Sequence, residues 1–430
     1  MKIPQVKGTR DFYPPEMARR NWILDGWKQV SLRNGFEEYD GPIFEYLQMY
    51  QIKSGQEIVE QLFSFQDRGG RELAIRPEIT PTLARMVNQQ INSLPRPIKW
   101  FSVPRLCRAE RPQKGRLREF FQWNIDVIGE NTGQADAEII FTTLDYLRTV
   151  GLTSQQIRAR ISSRRLLAAV LTGIGIPAER LDSLYAVLDK KAKVPAETFR
   201  AILAEQVADA DQARRILDFM ALDSIERIKD VIAPNDEMRS AMDELRAVFD
   251  ILQWMGVEEY CLFDPSIVRG LAYYTGMVFE VHDVGGELRA ICGGGRYDNL
   301  LRDFGGPAIA ATGMGMGDAV LEILLREKGL LDKQVPKPEL DYFVAFADHR
   351  FGPDVYRLAA AIRSQGDSAS FTYKRGGLSK QLKEAAGQNA KKCVIVGQEY
   401  EDHRQVVIKD MATGEQKTVD AEQFLSQLGS

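Results

Sequence analysis

The stretch that most constrains this chain is RLCRAERPQKGRLREFFQWNID, residues Arg105 to Asp126. Its end continues into a run of strand formers, EFFQWNIDVI (119–128), whose alternation puts Phe120, Gln122, Asn124 and Asp126 on one face. A polar face is unusual on a strand long enough to be central in a sheet, and it points to a surface that meets a ligand. Between Arg105 and Arg118 stand six Lys/Arg and one acid, Glu110, although the whole chain carries a net charge of −4. Arginine suits phosphate because its planar fork donates two parallel hydrogen bonds. Lys114-Gly115 reads as a tight turn. The sequence therefore predicts strands at 99–104 and 119–128, joined by a mobile basic loop able to close over a polyphosphate. Taken alone, the same segment fits a solvated charged hairpin equally well.

What surrounds this element narrows the class. A chain of 430 residues holds two or three domains and buries a substantial core. No run approaches the ~20 apolar residues of a membrane span. The opening MKIPQVKGTRDFYPPE lacks the apolar region of a secretory signal, so a cytoplasmic location is expected. Cys107, Cys261, Cys292 and Cys393 are scattered and read as reduced buried thiols. His282, His349 and His403 lie far apart, so no metal site is expected. No GxxxxGK[ST] loop occurs, and any nucleotide is handled without one.

Along the chain, residues 16–34 read as an amphipathic helix between Pro14-Pro15 and Gly35, with Ile23, Trp27 and Val30 on one face. Residues 61–76 read as a hairpin turning at Asp67-Arg68-Gly69-Gly70, and 81–91 as a helix. From about Ser163 to Val248 the character turns helical, rich in Ala, Leu, Arg and Asp. Strands are expected at 259–263, 277–282, 288–292 and from Thr312. A polar, Pro-containing linker at 332–339 precedes alternating strand and helix patterns, which predict a small α/β domain with a mostly parallel sheet. Residues 337–430 hold 13 Lys/Arg and 13 Asp/Glu, with a basic cluster at Lys374, Arg375, Lys380 and Lys383. Composition alone reads that cluster as a solvated helix face.

Four segments repeat one theme, polar or charged residues on strands beside glycines. In RPEIT, Glu78 and Thr80 would share one face of a strand, a carboxylate and a hydroxyl suited to an ammonium. The basic hairpin supplies Arg108, Glu110, Arg116, Gln122 and Asp126. In SIVRGLAYYTGMVFE, Arg269-Gly270 comes close to Tyr273-Tyr274, and a buried Arg there needs an ion pair or an anionic ligand. GGGRYD (293–298) and GMGMG (313–317) carry glycines that weaken a strand unless a ligand or backbone comes very close. Together these predict a sheet that binds an anion and an amine, a nucleotide together with an amino acid.

These motifs resemble those of the histidyl-tRNA synthetase family. RLCRAERPQKGRLREFFQ resembles motif 2 of class II aminoacyl-tRNA synthetases in its histidyl form. RGLAYYTGMVFE and CGGGRYDNLL resemble its two histidine signatures, KGTRDFYPPE its usual opening, and KQLKEAAGQNAKKCVIVGQEY its anticodon-binding domain. The resemblance implies an α+β catalytic domain, an antiparallel sheet flanked by helices, with a helical insertion and a C-terminal α/β anticodon-binding domain. The parts would be 1–162 and 251–331 (catalytic), 163–250 (insertion), 332–339 (linker) and 340–430 (anticodon-binding). It implies a histidine–tRNA ligase that uses ATP with Mg²⁺, works on tRNA(His), and is a homodimer through the helix from residue 16 and the strand to Pro42. By the same resemblance Glu78, Thr80 and Gln122 hold the α-amino end of histidine, and Asp126 and Tyr274, with Tyr273 beside them, hold its imidazole. Arg108, Glu110, Arg116, Phe120 and Arg269 would face ATP, with Phe120 stacked on adenine and Arg108 and Arg269 catalytic at the α-phosphate.

Two positions depart from the family pattern. Ala272 stands where Asp is usual, and Val320 where motif 3 carries an arginine for the γ-phosphate. Arg116, Arg118, Arg302 and Arg326 are the candidates to replace that arginine. Both departures also fit a non-ligating paralogue, the regulatory subunit of ATP phosphoribosyltransferase. The intact basic loop, Arg269 and the anticodon-like tail fit the ligase instead. A nucleotide-binding dimer with no chemistry is the third reading.

Overall fold

The structure is a computed structural model that describes every residue except 1–2, 53–61, 192, 270–272, 287, 338, 375 and 429–430. Gly270, Ala272 and Arg375 thus lie outside the described residues. The chain forms two units, Met1–Val335 and Pro336–Ser430.

The first unit is built on one large sheet. Its strands are β1 (Glu37–Glu38), β5 (Ile98–Ser102), β6 (Arg105–Cys107), β7 (Glu119–Ile128), β8 (Ile157–Ser163), β9 (Cys261–Phe263), β10 (Met277–Asp283), β11 (Cys292–Arg296) and β12 (Ala311–Gly317). A small side sheet holds β2 (Phe44–Tyr46), β3 (Ser64–Gln66) and β4 (Glu72–Ile75) in the order β2-β4-β3. The large sheet runs β1-β5-β7-β12-β11-β10-β8-β9, with β6 paired to β7. Its pairings are antiparallel except at the two edges, β1–β5 and β8–β9.

The period-two pattern of β7 decides which side of the sheet is wet. Trp123, Ile125 and Val127 are buried on one side. Helix α1 (Pro14–Arg33) covers them and begins at the two prolines expected to precede it, since proline fits the first turn of a helix. Trp27 of α1 stacks on Trp123 at 6.2 Å, and Tyr146 of α2 (Gly133–Thr149) meets Trp123 edge-on at 5.5 Å. Trp123 Nε1 donates to Ser31 Oγ at 2.8 Å, so the buried indole is satisfied. Trp27→Ala is expected to lower stability by about 3–5 kcal/mol, read by chemical denaturation. A loss below about 1 kcal/mol would mean that this aromatic stack is not what joins helix to sheet.

Between β8 and β9 the chain is helical, from Arg164–Ile174 through Asp236–Trp254. Leu167, Val170, Leu245 and Val248 of these helices belong to the same apolar core as the sheet. In the second unit β13 (Leu340–Phe346), β14 (Ala369–Phe371), β15 (Ala390–Val396), β16 (Gln405–Asp410) and β17 (Gln416–Asp420) lie in the order β14-β13-β15-β16-β17.

Several local expectations change. The expected strand at 288–292 instead starts at Cys292 and continues through the glycines to Arg296, because neighbouring strands and side chains press against that run. Glu78 and Thr80 are not on a strand: β4 ends at Ile75 and a helix starts at Thr80. Arg269 is not on a strand either, and its φ of 61° bends the chain sharply. Part of the polar linker is a short helix, Leu331–Gln334. The C-terminal sheet is only half parallel, because β16 and the unexpected β17 add antiparallel pairings.

Candidate functional site

On the wet side of the large sheet, directly opposed residues form rows. Asn124 of β7 faces Gly315 of β12, which faces Gly293 of β11, which faces Glu280 of β10. The next row is Asp126, Gly313, Gly295 and Val278. The glycines leave a shallow floor, and neighbouring side chains lie across it. A β-carbon on Gly313 would overlap Asp126 Oδ1, and one on Gly293 would stand 2.5 Å from Arg269 Nη1. A β-carbon on Gly315 would stand 2.8 Å from Gln122 Nε2. The sheet thus gives up side chains there so that polar groups from other elements can be drawn in.

Above this floor is a cavity of about 470 Å³. Its wall includes Glu78, Thr80, Arg108, Glu110, Arg116, Gln122, Asp126, Arg269, Tyr273 and Tyr274. The structure therefore gathers into one place ten side chains that the sequence spreads from residue 78 to residue 274.

Two buried groups set the chemistry of the floor. Arg269 Nη1 donates to Glu280 Oε1 at 2.6 Å, and His282 Nε2 lies 2.9 Å from Glu280 Oε2. Burial opposes ionisation of Glu280, but His282 and Arg269 outweigh it and hold the carboxyl at about 2. Burial likewise opposes the Arg269 charge, and Tyr274 and Glu280 raise its pKa above the ordinary value. Arg269 is thus a fixed cation aimed into the cavity. At the other side, the Tyr297 hydroxyl donates to Asp126 Oδ1. Burial first, then the Asp126 charge, pushes that phenol well above its usual range, so it stays a donor.

The basic hairpin closes a third side. The Arg108 N–H bonds to the Arg118 carbonyl at 2.8 Å, and Gln113 and Arg116 exchange backbone hydrogen bonds around Gly115, whose φ is 73°. That turn confirms the reading of Lys114-Gly115. Arg108 Nε donates to the Pro77 carbonyl at 3.1 Å, and Arg116 is paired with Glu110 inside the cavity.

Some expected residues are not at the wall. Phe120 is buried with the Arg108 guanidinium 5.1 Å above its ring, and it does not line the cavity. Of the four candidates to replace the motif 3 arginine, only Arg116 lines it. Arg118 Nε donates to the Glu110 carbonyl, Arg302 lies by Asp303, and Arg326 pairs with Glu322. Val320 is a buried residue near the start of α3 (Asp318–Glu327). Asn124, on the polar face expected of β7, also lines the wall, whereas Tyr297, Glu280, and Asp189 and Lys193 from the helical segment are wall residues that the sequence reading does not single out. Glu280 left a signal, as the lone acid in the apolar run MVFEV after Arg269. No cluster of three His, Cys, Asp or Glu side chains suited to a metal occurs among the described residues.

In the second unit, Tyr356 meets Phe371 at 5.0 Å and Phe371 meets Tyr373 at 5.2 Å. Tyr373 is 88% exposed and is followed by Lys374. No described helix is long and apolar enough to cross a membrane.

Comparison with known proteins matches residues 8–318 to the histidyl-tRNA synthetase family and residues 341–430 to the anticodon binding domain. The chain is 39% identical over 422 residues to the histidine–tRNA ligase of Opitutus terrae, covering 97% of this chain and 96% of that one. It is 40% identical over 425 residues to that of Haloarcula marismortui, with coverage of 97% and 96%. Identity to the chloroplastic/mitochondrial histidine–tRNA ligase of Arabidopsis thaliana is 38% over 410 residues, covering 95% and 83%. Among solved structures, a histidyl-tRNA synthetase from Nostoc sp. PCC 7120 shares the fold with a TM-score of 0.82 at 23% identity, covering both chains fully. An ATP phosphoribosyltransferase regulatory subunit/histidyl-tRNA synthetase from Bacillus halodurans shares it at 0.75 and 23%, covering 92% of this chain and 100% of that one.

Proposed function

Because the chain belongs to the histidyl-tRNA synthetase family and is a class II enzyme that ligates histidine to tRNA using ATP, we propose that the cavity over the glycine floor is where histidine and ATP react. One observation carries this reading: Arg108, Arg116 and Arg269 line the same 470 Å³ space as Asp126, Tyr274 and Glu78. The set combines cations for a polyphosphate with carboxylates and phenols for an amino acid that has a polar ring.

In this reading Glu78, Thr80 and Gln122 take the ammonium group of histidine. Asp126 accepts a hydrogen bond from the imidazole N–H, and Tyr274 meets the other side of the ring. The histidine carboxylate attacks the α-phosphorus of ATP. A new acyl–oxygen–phosphorus link forms as the bond from the α-phosphorus to the bridging oxygen breaks, and pyrophosphate leaves with that electron pair. Negative charge gathers on the non-bridging oxygens in the transition state. Arg108 and Arg269, already held by Pro77 and Glu280, meet that charge without reorganising. Phe120 supports Arg108 from below.

Mg²⁺ fits this wall as a companion of the phosphates, since Mg²⁺ is usually held by one or two carboxylates plus substrate oxygens. Glu110 is the carboxylate of the hairpin that faces that space, and the ion would neutralise departing pyrophosphate. We read the enzyme as cytoplasmic and as a homodimer; the dimer is supported by the exposed aromatic face of Phe44, Tyr46 and Phe65 on the side sheet. The regulatory-subunit alternative is not favoured, because the sequence relatives are ligases over nearly their full length.

For the tRNA side, the ring ladder Tyr356–Phe371–Tyr373 beside Lys374 supports stacking of an unpaired base on Tyr373. Tyr373→Ala is expected to raise KM for tRNA by about 5- to 100-fold, with tRNA-independent pyrophosphate exchange unchanged. Tyr373→Phe keeps the ring and should behave as the parent. An unchanged KM in the alanine variant would remove this ring from tRNA binding.

The direct test is amino-acid-dependent ATP–pyrophosphate exchange. Exchange with histidine alone among the standard amino acids is the expected result. Histidine binding without exchange would return the chain to the regulatory reading.

A further inference from the structure

We infer that Val320, at the position where the motif 3 resemblance implies an arginine, is a positioning residue that seats the tip of the basic hairpin and thereby holds Arg116 at the polyphosphate end of the cavity. The inference rests on the ligase reading above and deepens it.

The hairpin tip and α3 fit together along one stripe. A β-carbon built on Gly115 would stand 2.9 Å from Val320 Cγ2 and 4.0 Å from Ile323 Cδ1, so the tip backbone lies directly on these two side chains. One turn further along the helix, Lys114 Nζ pairs with Glu327 Oε1 at 3.3 Å. Val320, Ile323 and Glu327 are spaced i, i+3 and i+7, the spacing of a single helix face. Gly115 takes a positive φ, which a side chain would resist, and it also has no room for one. Composition of the contact matters too. A buried valine offers a dry, uncharged seat, whereas a long cation at 320 would push the tip away or compete with Arg116.

Helix α3 is itself anchored at the same end. Asp318 accepts the Phe121 N–H at 3.0 Å and pairs with Arg10 at 2.5 Å. The seat is therefore fixed to β7, the strand that carries Gln122 and Asp126. Of the four candidates to replace the motif 3 arginine, Arg116 alone lines the cavity. The tip contact, together with the Glu110 pair, keeps this cation where the motif 3 arginine would otherwise contribute charge.

The test uses the full-length enzyme in histidine-dependent pyrophosphate exchange. Val320→Ala is expected to raise KM for ATP about fivefold or more, with kcat changed less and histidine affinity, measured separately by calorimetry, unchanged. Val320→Ile should restore the parent KM. In an Arg116→Ala background, Val320→Ala should add no further loss, because neighbours acting through one group are not additive. Glu327→Gln, on the exposed side of the same stripe, should raise KM for ATP in the same direction and serves if Val320→Ala does not fold. An unchanged KM for ATP in Val320→Ala or, failing its folding, in Glu327→Gln would overturn the inference. So would losses that multiply in the double variant. Absence of exchange in the parent enzyme would instead defeat the ligase reading itself.

Discussion

Arg269→Ala is expected to lower histidine-dependent pyrophosphate exchange by about 10²–10³-fold, the usual loss when a preorganised donor to a developing negative charge is removed. Arg269 is held on the cavity floor by Glu280 at 2.6 Å, and its guanidinium crosses the space left by Gly293. Such a cation does not have to be recruited when the α-phosphate becomes more negative. Stability will fall as well, because Glu280 loses a partner, and breaking a buried pair typically costs about 3–5 kcal/mol. His282, 2.9 Å from the other carboxylate oxygen, limits that loss. Glu280→Gln separates the two effects, since it loosens Arg269 without removing its charge and should lower exchange much less. The pair also makes a pH statement. Glu280 is held at about 2, below its ordinary value, so its contribution to stability is fully present above the unfolded carboxyl value and is lost as pH falls through about 2. Exchange should therefore show no titration of this pair at neutral pH. Parent-level exchange in a folded Arg269→Ala protein would remove Arg269 from the mechanism.

Asp126→Ala is expected to weaken histidine binding by about 10²–10⁴-fold while leaving ATP binding within a small factor. A site built to hydrogen-bond a polar ring discriminates strongly because its buried groups otherwise go unpaired. Asp126 is buried at the edge of the glycine floor, and it accepts the Tyr297 hydroxyl. Removing the carboxylate takes away the acceptor for the imidazole and leaves that phenol without its partner. Gly313→Ala is a second route to the same result, because the new methyl would overlap Asp126 Oδ1 and displace it. Calorimetric titration with histidine and, separately, with ATP reads both variants. Equal losses for the two ligands would indicate general damage to the fold and would sink the assignment of Asp126 to the ring.

Part of this site is legible in the order of residues. The alternation of β7 needs no tertiary information, because a strand turns successive side chains to opposite faces. That alone separates Trp123, Ile125 and Val127 from Gln122, Asn124 and Asp126. The density of cations from Arg105 to Arg118 and the Lys114-Gly115 turn are local as well, and the structure keeps both. Local pattern misleads where a neighbour decides the conformation. Glu78 and Thr80 fit a strand by spacing, yet they sit at the entry to a helix. Arg269 fits an apolar strand, yet it takes φ 61° with its guanidinium on Glu280. The glycine run at 293–295 reads as a strand that is weak unless something comes very close, and only the structure shows what presses on it.

The sequence by itself determined the two-part chain, the wet face of β7, the basic hairpin and the family motifs, because each depends on periodicity or on neighbours a few residues apart. Only the tertiary structure decided that Tyr297 would bond Asp126 across 171 residues, that Glu280 would hold Arg269, and that Val320 would lie beneath Gly115. Such contacts depend on the strand order β7-β12-β11-β10 and its register. Register brings distant residues within a few ångströms of each other, which no local pattern encodes.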